Sequence, residues 1–401
     1  MDLEGEVKRN LTDLCVPPQK MGGRRIGVTA GSRGIASLKE IVRAVCLWLR
    51  EHNASPFVFP AMGSHGGATA EGQRHILASY GVTEQYVGAP ILSSMETVCV
   101  GETAEGSKVY VDRNAWGADG IVVLNRVKPH TGFSGKIESG LLKMVAVGMG
   151  KQTGAEEVHK LARKLSYEEA IREISSAILA TGKILGGIAI VENEWHQVCR
   201  IHGVRSLESG CEEEAILKVA RTLTPQIPLR GFRLLIVDRL GKNIAGTGMD
   251  TKVIGRGVPV AQGEAPVIDL IYVRDLTPET EGNAVGVGFA DIVHDRIHRK
   301  IDFEKTYVNA RTSLNVSSVR LPMCFPSDRA ALEFALECLA TTRPEQQSIV
   351  WISSTVDLNR LAISEPLTEA AAKLDGWQIS PEAFEPQFDE AEDLIGRVGG
   401  L

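Results

Sequence analysis

Asn125-Arg-Val-Lys-Pro-His-Thr-Gly-Phe-Ser-Gly-Lys-Ile-Glu-Ser-Gly-Leu-Leu-Lys-Met-Val-Ala-Val-Gly-Met-Gly-Lys-Gln-Thr-Gly-Ala-Glu-Glu-Val-His159 directly follows the apolar run Gly120-Ile-Val-Val-Leu124. That run reads as a buried strand, because β-branched residues without polar alternation suit a strand covered on both faces. Two histidines, four lysines and a series of glycines then follow within 35 residues. Pro129 fixes the approach to His130. Thr131-Gly-Phe-Ser-Gly135 offers backbone amides and a hydroxyl, the equipment of an anion-binding turn. A helix is expected from about Lys136, its positive end beside that turn. The stretch reads as a cradle for a phosphorylated ligand, with Gly132, Ser134, Gly135 and Lys136 as its candidate contacts.

Lys143 and His159 lie 16 positions apart. On one straight helix they would be about 24 Å apart along the axis, too far to serve one small ligand. Gly148, Gly150 and Gly154 supply breaks, so the expectation is a short apolar helix to Val147, a bend, and a second helix through His159. The same spacing also suits a solvated Lys143 and a surface His159 on an amphipathic helix.

Working outward, Arg25–Ala30 reads as a strand, Gly31-Ser-Arg-Gly34 as a turn, and 37–50 as a helix with Leu38, Ile41, Val42, Val45 and Leu49 on one face. Ligands of open α/β sheets bind at such turns, outside the carboxyl ends of the strands. Ser32 and Arg33 are the polar groups offered there, and a guanidinium fork matches a carboxylate or phosphate. The next strand, Pro56–Ala61, runs into Met62-Gly-Ser-His-Gly-Gly67. A histidine flanked by glycines at a strand end is poorly shielded and meets a ligand more readily than a packed core histidine does. Further strands are expected at 109–112, 120–124 and 186–192, with an amphipathic helix over Tyr167–Leu179.

Thr222-Leu-Thr-Pro-Gln-Ile-Pro-Leu-Arg230 reads as a domain joint before a new strand, Leu234–Asp238. A chain of 401 residues exceeds the roughly 250–300 residues over which a single core grows. The expected architecture is two α/β domains, 1–228 and 229–401, with a ligand cleft between them; the last segment is free to return to the first domain. A second glycine-rich loop, 240–256, carries the cations Lys242 and Arg256, which are candidates for substrate contact. Strands are expected at 267–273 and 349–353 and a helix over 327–340. His294 and His298, four apart, match a metal pair on one helix face, but their charged neighbours favour a solvated face.

Composition bounds the class. The net charge is −6 and 43% of residues are apolar. No Lys/Arg block suggests nucleic acid, no run of about 18 apolar residues suggests a membrane span, and Met1-Asp-Leu-Glu-Gly-Glu lacks a signal-peptide layout. Seven scattered cysteines without a Cys-x-x-Cys pair fit reduced thiols, hence a cytoplasmic location.

The pattern Lys-Pro-His130, Gly-Phe-Ser-Gly135, Lys143 and His159 resembles the cofactor segment of the lactate racemase family. Its members are isomerases that use a nickel-pincer nucleotide (pyridinium-3-thioamide-5-thiocarboxylic acid mononucleotide). The resemblance implies a cofactor tethered through Lys143, with Lys136 as second candidate because this chain is about three residues longer between Gly135 and Lys143. It also implies nickel held by His159, acid–base roles for His65 and His130, and a substrate carboxylate held by Arg33. The family's Asp-x-Thr-Arg appears here as Ala30-Gly-Ser-Arg33, so the aspartate's contribution is missing. The implied activity is racemisation or epimerisation of a small 2-hydroxy acid, with hydride passing to and from the cofactor while the histidines handle the hydroxyl proton. The implied partners are cofactor-synthesis enzymes and a second copy of the chain in a homodimer. Two other readings stay open: an NAD-type 2-hydroxy acid dehydrogenase, although no Gly-x-Gly-x-x-Gly opens the first strand–helix turn, and a non-catalytic binder of sugar acids or nucleotides.

Overall fold

A computed structural model describes residues 2–13, 21–32, 34–258, 265–313, 315–339 and 343–398. It divides into two compact units, 1–130 with 134–224, and 131–133 with 225–401. Both are α/β.

The first unit runs α1 (Leu3–Asp13), β1 (Arg25–Ala30), α2 (Leu38–Glu51), β2 (Ser55–Pro60), α3 (Ala70–Ser79), α4 (Glu84–Val87), β3 (Thr97–Glu102), β4 (Lys108–Asp112), α5 (Arg113–Trp116) and β5 (Gly120–Arg126). It continues with α6 (Leu141–Lys143), a π-turn (Met144–Gly148), α7 (Lys151–Leu161), α8 (Tyr167–Leu179), β6 (Ile184–Glu192), β7 (Val198–Val204) and α9 (Cys211–Leu223). The main sheet has the order β2-β1-β5-β6-β7. β2, β1, β5 and β6 are parallel, and β7 returns antiparallel. β3 and β4 form a separate antiparallel ribbon.

The run Ile26-Gly-Val-Thr-Ala30 is buried throughout, which is why it is apolar at nearly every position rather than at alternate ones. Leu38, Ile41, Val42, Val45 and Leu49 of α2 are buried against this sheet, the face that their spacing predicts. Each such side chain contributes about 1.5–3 kcal/mol of transfer free energy. Because the chain leaves β1 for β2 on one side and reaches β5 on the other, the sheet has its switch point at β1 and β5. The carboxyl ends of β2, β1 and β5 therefore present three neighbouring loops, the place where this architecture binds ligands.

The second unit runs β8 (Gly231–Leu240), α10 (Thr251–Ile254), β9 (Val267–Leu276), β10 (Ile292–His294), α11 (Asp295–Lys300), α12 (Phe303–Ser313), β11 (Met323–Phe325), α13 (Asp328–Cys338), β12 (Ile349–Ile352), β13 (Leu361–Ile363) and α14 (Thr368–Ala371). Its sheet has the order β11-β10-β9-β8-β12-β13, with β13 antiparallel. The C-terminal segment stays with this unit. Leu394 and Val398 pack in its core beside Tyr272 and Trp351, and Arg274 donates to the carbonyls of Leu394 and Gly396.

Candidate active site

The three loops at the switch point carry Ser32, His65 and His130. Ser32 follows β1, and its hydroxyl is hydrogen-bonded to Nδ1 of His65. Its carbonyl accepts the Tyr80 hydroxyl at 2.9 Å. Arg33 lies outside the described residues. His65 follows β2 in a turn whose Gly63, Gly66 and Gly67 all have positive φ. At Gly66 a Cβ would come within 2.6 Å of the Gln73 backbone nitrogen, so only glycine lets the turn close onto α3. Gln73 is buried and donates to the carbonyls of Gly63 at 2.9 Å and His65 at 3.2 Å. The His65 turn is thus held from behind and its imidazole left half-buried.

His130 follows β5. Its amide donates to the buried carboxylate of Glu138, which also accepts Gly135 N at 3.3 Å and pairs with Arg221 at 2.7 Å. Lys136 N donates to Glu168 at 2.8 Å, and Leu142 N, at the start of α6, donates to Glu213 at 2.9 Å. Of the amides that by sequence make an anion cradle, those of Gly135 and Lys136 are engaged by the protein's own carboxylates. The expected helix from Lys136 is absent for the same reason. Residues 136–140 form an irregular, bent loop in which Lys128 and Ser139 exchange backbone hydrogen bonds, and α-helix begins only at Leu141. Gly132 and Ser134 are exposed, and residues 131–133 belong with the second unit, where Thr251 Oγ1 donates to the Thr131 carbonyl at 2.6 Å.

Lys143 ends α6 and His159 lies in the last turn of α7. The bend that the spacing requires is present, but its chemistry differs from the expectation. The chain turns through the π-turn and then through Lys151, whose φ is +55°. The nearby glycines serve close packing instead. A Cβ at Gly148 would lie 2.7 Å from the Ala61 carbonyl oxygen, and one at Gly150 would lie 2.9 Å from the Gly154 Cα. Fold-back brings the Lys143 ammonium near enough to His159 to act on it. Burial, then the charges of Lys143 and Arg163, hold the imidazole below its usual pKa. His159 is therefore neutral at pH 7, the state in which an imidazole ligates a metal. Its Nδ1 lies 2.6 Å from the Tyr167 hydroxyl. With Nδ1–H donating to that oxygen, Nε2 keeps its lone pair for a metal, the usual arrangement behind a ligating histidine. The donor set fits a nickel-bearing group at His159 with an amine, Lys143, beside it. Lys136 is exposed, and its amide donates to Glu168 at 2.8 Å.

Sequence reasoning passed over Tyr167, Glu138, Glu213, Gln73 and Lys151. Tyr167 opens an amphipathic helix and reads as its apolar edge. Glu213 and Lys151 carry no local signal in the sequence, because their partners come from distant segments.

In the second unit, Lys242 donates to the Gly246 carbonyl at 2.9 Å and Asn309 Oδ1 at 2.8 Å. Arg256 ties Asp291, at 2.6 Å, to the carbonyls of Phe289 and Asp269. Both cations brace the loops of their own unit. His294 and His298 do not share a solvated helix face. His294 ends β10 buried, its Nε2 2.7 Å from Asp393 and its Nδ1 accepting Arg296 N at 3.0 Å, while His298 is exposed on α11. His294, Asp328 and Asp393 bring possible metal-ligating atoms within 4.8 Å of one another. Arg274 and Arg296 already match these carboxylates, so the trio is an ion-pair network.

No curated protein sequence matches this chain. Among solved structures, the fold is similar to that of the lactate racemase apoprotein from Thermoanaerobacterium thermosaccharolyticum. The TM-score is 0.55 at 14% identity, over 89% of this chain and 92% of that one. No helix among the described residues is long and apolar enough to cross a membrane. Residues 30–169, which hold the last residue of β1, the His65 turn, the His130 loop and the Lys143–His159 bend, match the family model of the lactate racemase N-terminal domain.

Proposed function

We propose that this protein is a nickel-dependent racemase or epimerase of a small 2-hydroxy acid. The observation that carries the reading is a tyrosine-supported His159, its pKa lowered by burial and by the charge of Lys143, in the unit whose adjacent strand ends also hold Ser32, His65 and His130. His159 would ligate the nickel of a nickel-pincer nucleotide and Lys143 would tether it; when bound, that group supplies a hydride acceptor. The chain's own residues perform the rest. The His65 and His130 imidazoles remove and return the hydroxyl proton. Two such groups are needed because the hydroxyl of each enantiomer points to a different side. An imidazole with a pKa near 7 is suited to both giving and taking that proton. The hydrogen bond between the Ser32 hydroxyl and Nδ1 of His65 leaves the other ring nitrogen, Nε2, for substrate. Arg33 would hold the carboxylate and keep the α carbon in place while the hydroxyl swings.

We further infer that the enzyme works in the cytoplasm as a homodimer and depends on cofactor-synthesis enzymes. The test is to produce the chain with those enzymes and follow α-hydrogen exchange and loss of optical activity in a panel of 2-hydroxy acids. His65→Ala and His130→Ala are expected to abolish turnover while nickel stays bound. Full turnover in both variants overturns the reading. Oxoacid formation that requires added nicotinamide cofactor replaces it with a dehydrogenase.

A further inference from the structure

The bend between Lys143 and His159 and the turn bearing His65 meet on one residue that neither the family pattern nor the sequence reading singles out. Lys151 opens α7 in the left-handed region, φ +55°, and its side chain is fully buried. Burial pulls its pKa below the ordinary lysine value, and Asp112 opposes that. A buried ammonium needs its donors matched. Asp112 Oδ2 lies 3.0 Å away, the Pro60 carbonyl accepts a hydrogen bond, and Gln73 Oε1 accepts another at 3.1 Å. Each partner leads elsewhere. Asp112 ends β4, accepts Ala115 N at 3.0 Å, and donates its own amide to the Met149 carbonyl at 2.8 Å. Pro60 is the last residue of β2, from which the His65 turn departs. Gln73 has its oxygen fixed by Lys151, so its amide group is oriented toward the carbonyls of Gly63 and His65. Gly63 N also donates to the Gly148 carbonyl at 3.2 Å, closing the circuit through the π-turn.

We propose that Lys151 is a positioning residue: its backbone makes the bend between Lys143 and His159, and its ammonium, through Gln73 and the Pro60 carbonyl, sets the orientation of His65. The proposal rests on the reading of His65 and His159 as functional groups, but its geometry is testable without turnover. Gln73 is the specific relay. An apolar residue of similar size there leaves the Lys151–Asp112 pair and the Pro60 acceptor in place, and removes the hold on Gly63 and His65 together with one acceptor of the ammonium.

The experiment uses the full chain without cofactor, labelled with ¹⁵N-histidine, and reads imidazole ¹H–¹⁵N correlations; His65→Gln and His159→Gln assign the two rings. In Gln73→Met, the His65 signals are expected to shift and broaden while those of His159 stay in place. In Lys151→Met, both sets are expected to move while His52, at the end of α2 in the same unit and bonded to the Trp48 carbonyl, reports an intact fold. In cofactor-loaded protein, Gln73→Met is expected to lower kcat at least tenfold with KM little changed, since small misplacements of a reacting group carry penalties of that size. His65 signals unmoved in Gln73→Met overturn the proposal, and this variant decides the matter should Lys151→Met fail to fold. If the His65 ring responds as expected but His65→Ala keeps full turnover, the positioning holds and the racemase reading fails.

Discussion

Nδ1 of His159 and the hydroxyl of Tyr167 are 2.6 Å apart, and the two rings meet edge to face with centroids 5.6 Å apart. The contact fixes both the rotation of the imidazole and, when Nδ1 donates, the nitrogen left for a metal. Tyr167→Phe keeps the ring packing and removes the oxygen. Loss of such a supporting partner weakens metal affinity about 10–100-fold. The variant is expected to lose nickel on dialysis against a chelator that leaves the wild type loaded, as measured by metal analysis.

The acid limb of stability carries two histidines. Burial, with Lys143 and Arg163 beside His159 and Arg200 beside His202, holds both below the ordinary value. An unfolded imidazole titrates near about 6.5. Below that pH the unfolded chain binds more protons than the folded one, and stability falls as pH drops. His202→Gln is expected to flatten urea-melt stability between about pH 6.5 and 5 relative to wild type.

Glu213 acts in the opposite sense. Burial raises its pKa from 4.5 to about 7, against the amides of Leu142 and Leu141 and the charge of Arg172. Between those values the folded state holds a proton that the unfolded state has released, so this group's contribution declines as pH rises through the window. Glu213→Gln keeps an oxygen for Leu142 N. It is expected to stabilise the protein at pH 8 by about 1–3 kcal/mol and to change little at pH 4.5, checked by urea melts at both values.

Gly148 gives a packing test. An added Cβ would meet Met144 Sδ at 2.5 Å and the Ala61 carbonyl oxygen at 2.7 Å, whereas one at Gly182 would meet nothing within 4 Å, although its φ is +69°. Gly148→Ala is expected to cost about 1–3 kcal/mol through overpacking and to disturb the His65 and His159 imidazole signals. Gly182→Ala should cost about 1 kcal/mol through backbone strain alone and leave both rings in place.

In the second unit, Arg274 spans Asp238 at 2.6 Å and Asp328 at 2.8 Å, all three side chains buried, and holds the carbonyls of Leu394 and Gly396. Arg274→Met strands two buried carboxylates, a loss of about 3–5 kcal/mol. The expected signs are a lower melting temperature and cleavage by protease within 387–398 before the rest of the unit opens.

The elements around the site were readable where burial alone dictates the pattern. The unbroken apolar run of β1, the one-sided spacing of α2 and the Ser166-capped helix starting at Tyr167 are local consequences of being covered. The fold-back of 143–159 was readable from an impossible distance. Its agents were not: glycine suggests freedom, yet Gly148 and Gly150 are compressed against backbone and a lysine takes the strained φ. The turn at 131–135 advertised unoccupied amides. Of the carboxylates that engage its neighbours, Glu168 and Glu213 stand 32 and 71 positions from the amides they accept, beyond any local pattern, whereas Glu138 lies 3 and 8 positions from Gly135 and His130.

The irregular loop before Gly140 and the helical stretch after it differ in what a change of length would do. Residues added or lost at 136–139 alter the reach of a loop that Glu168 and Ser139 fasten at points, and the loop can bulge. Between Lys143 and His159 each residue advances a helix by roughly 100°, so one deletion would swing the imidazole away from the amine and from Tyr167. Across relatives of this chain, insertions should be found upstream of Gly140, whereas the 16-position interval downstream behaves as a reading frame.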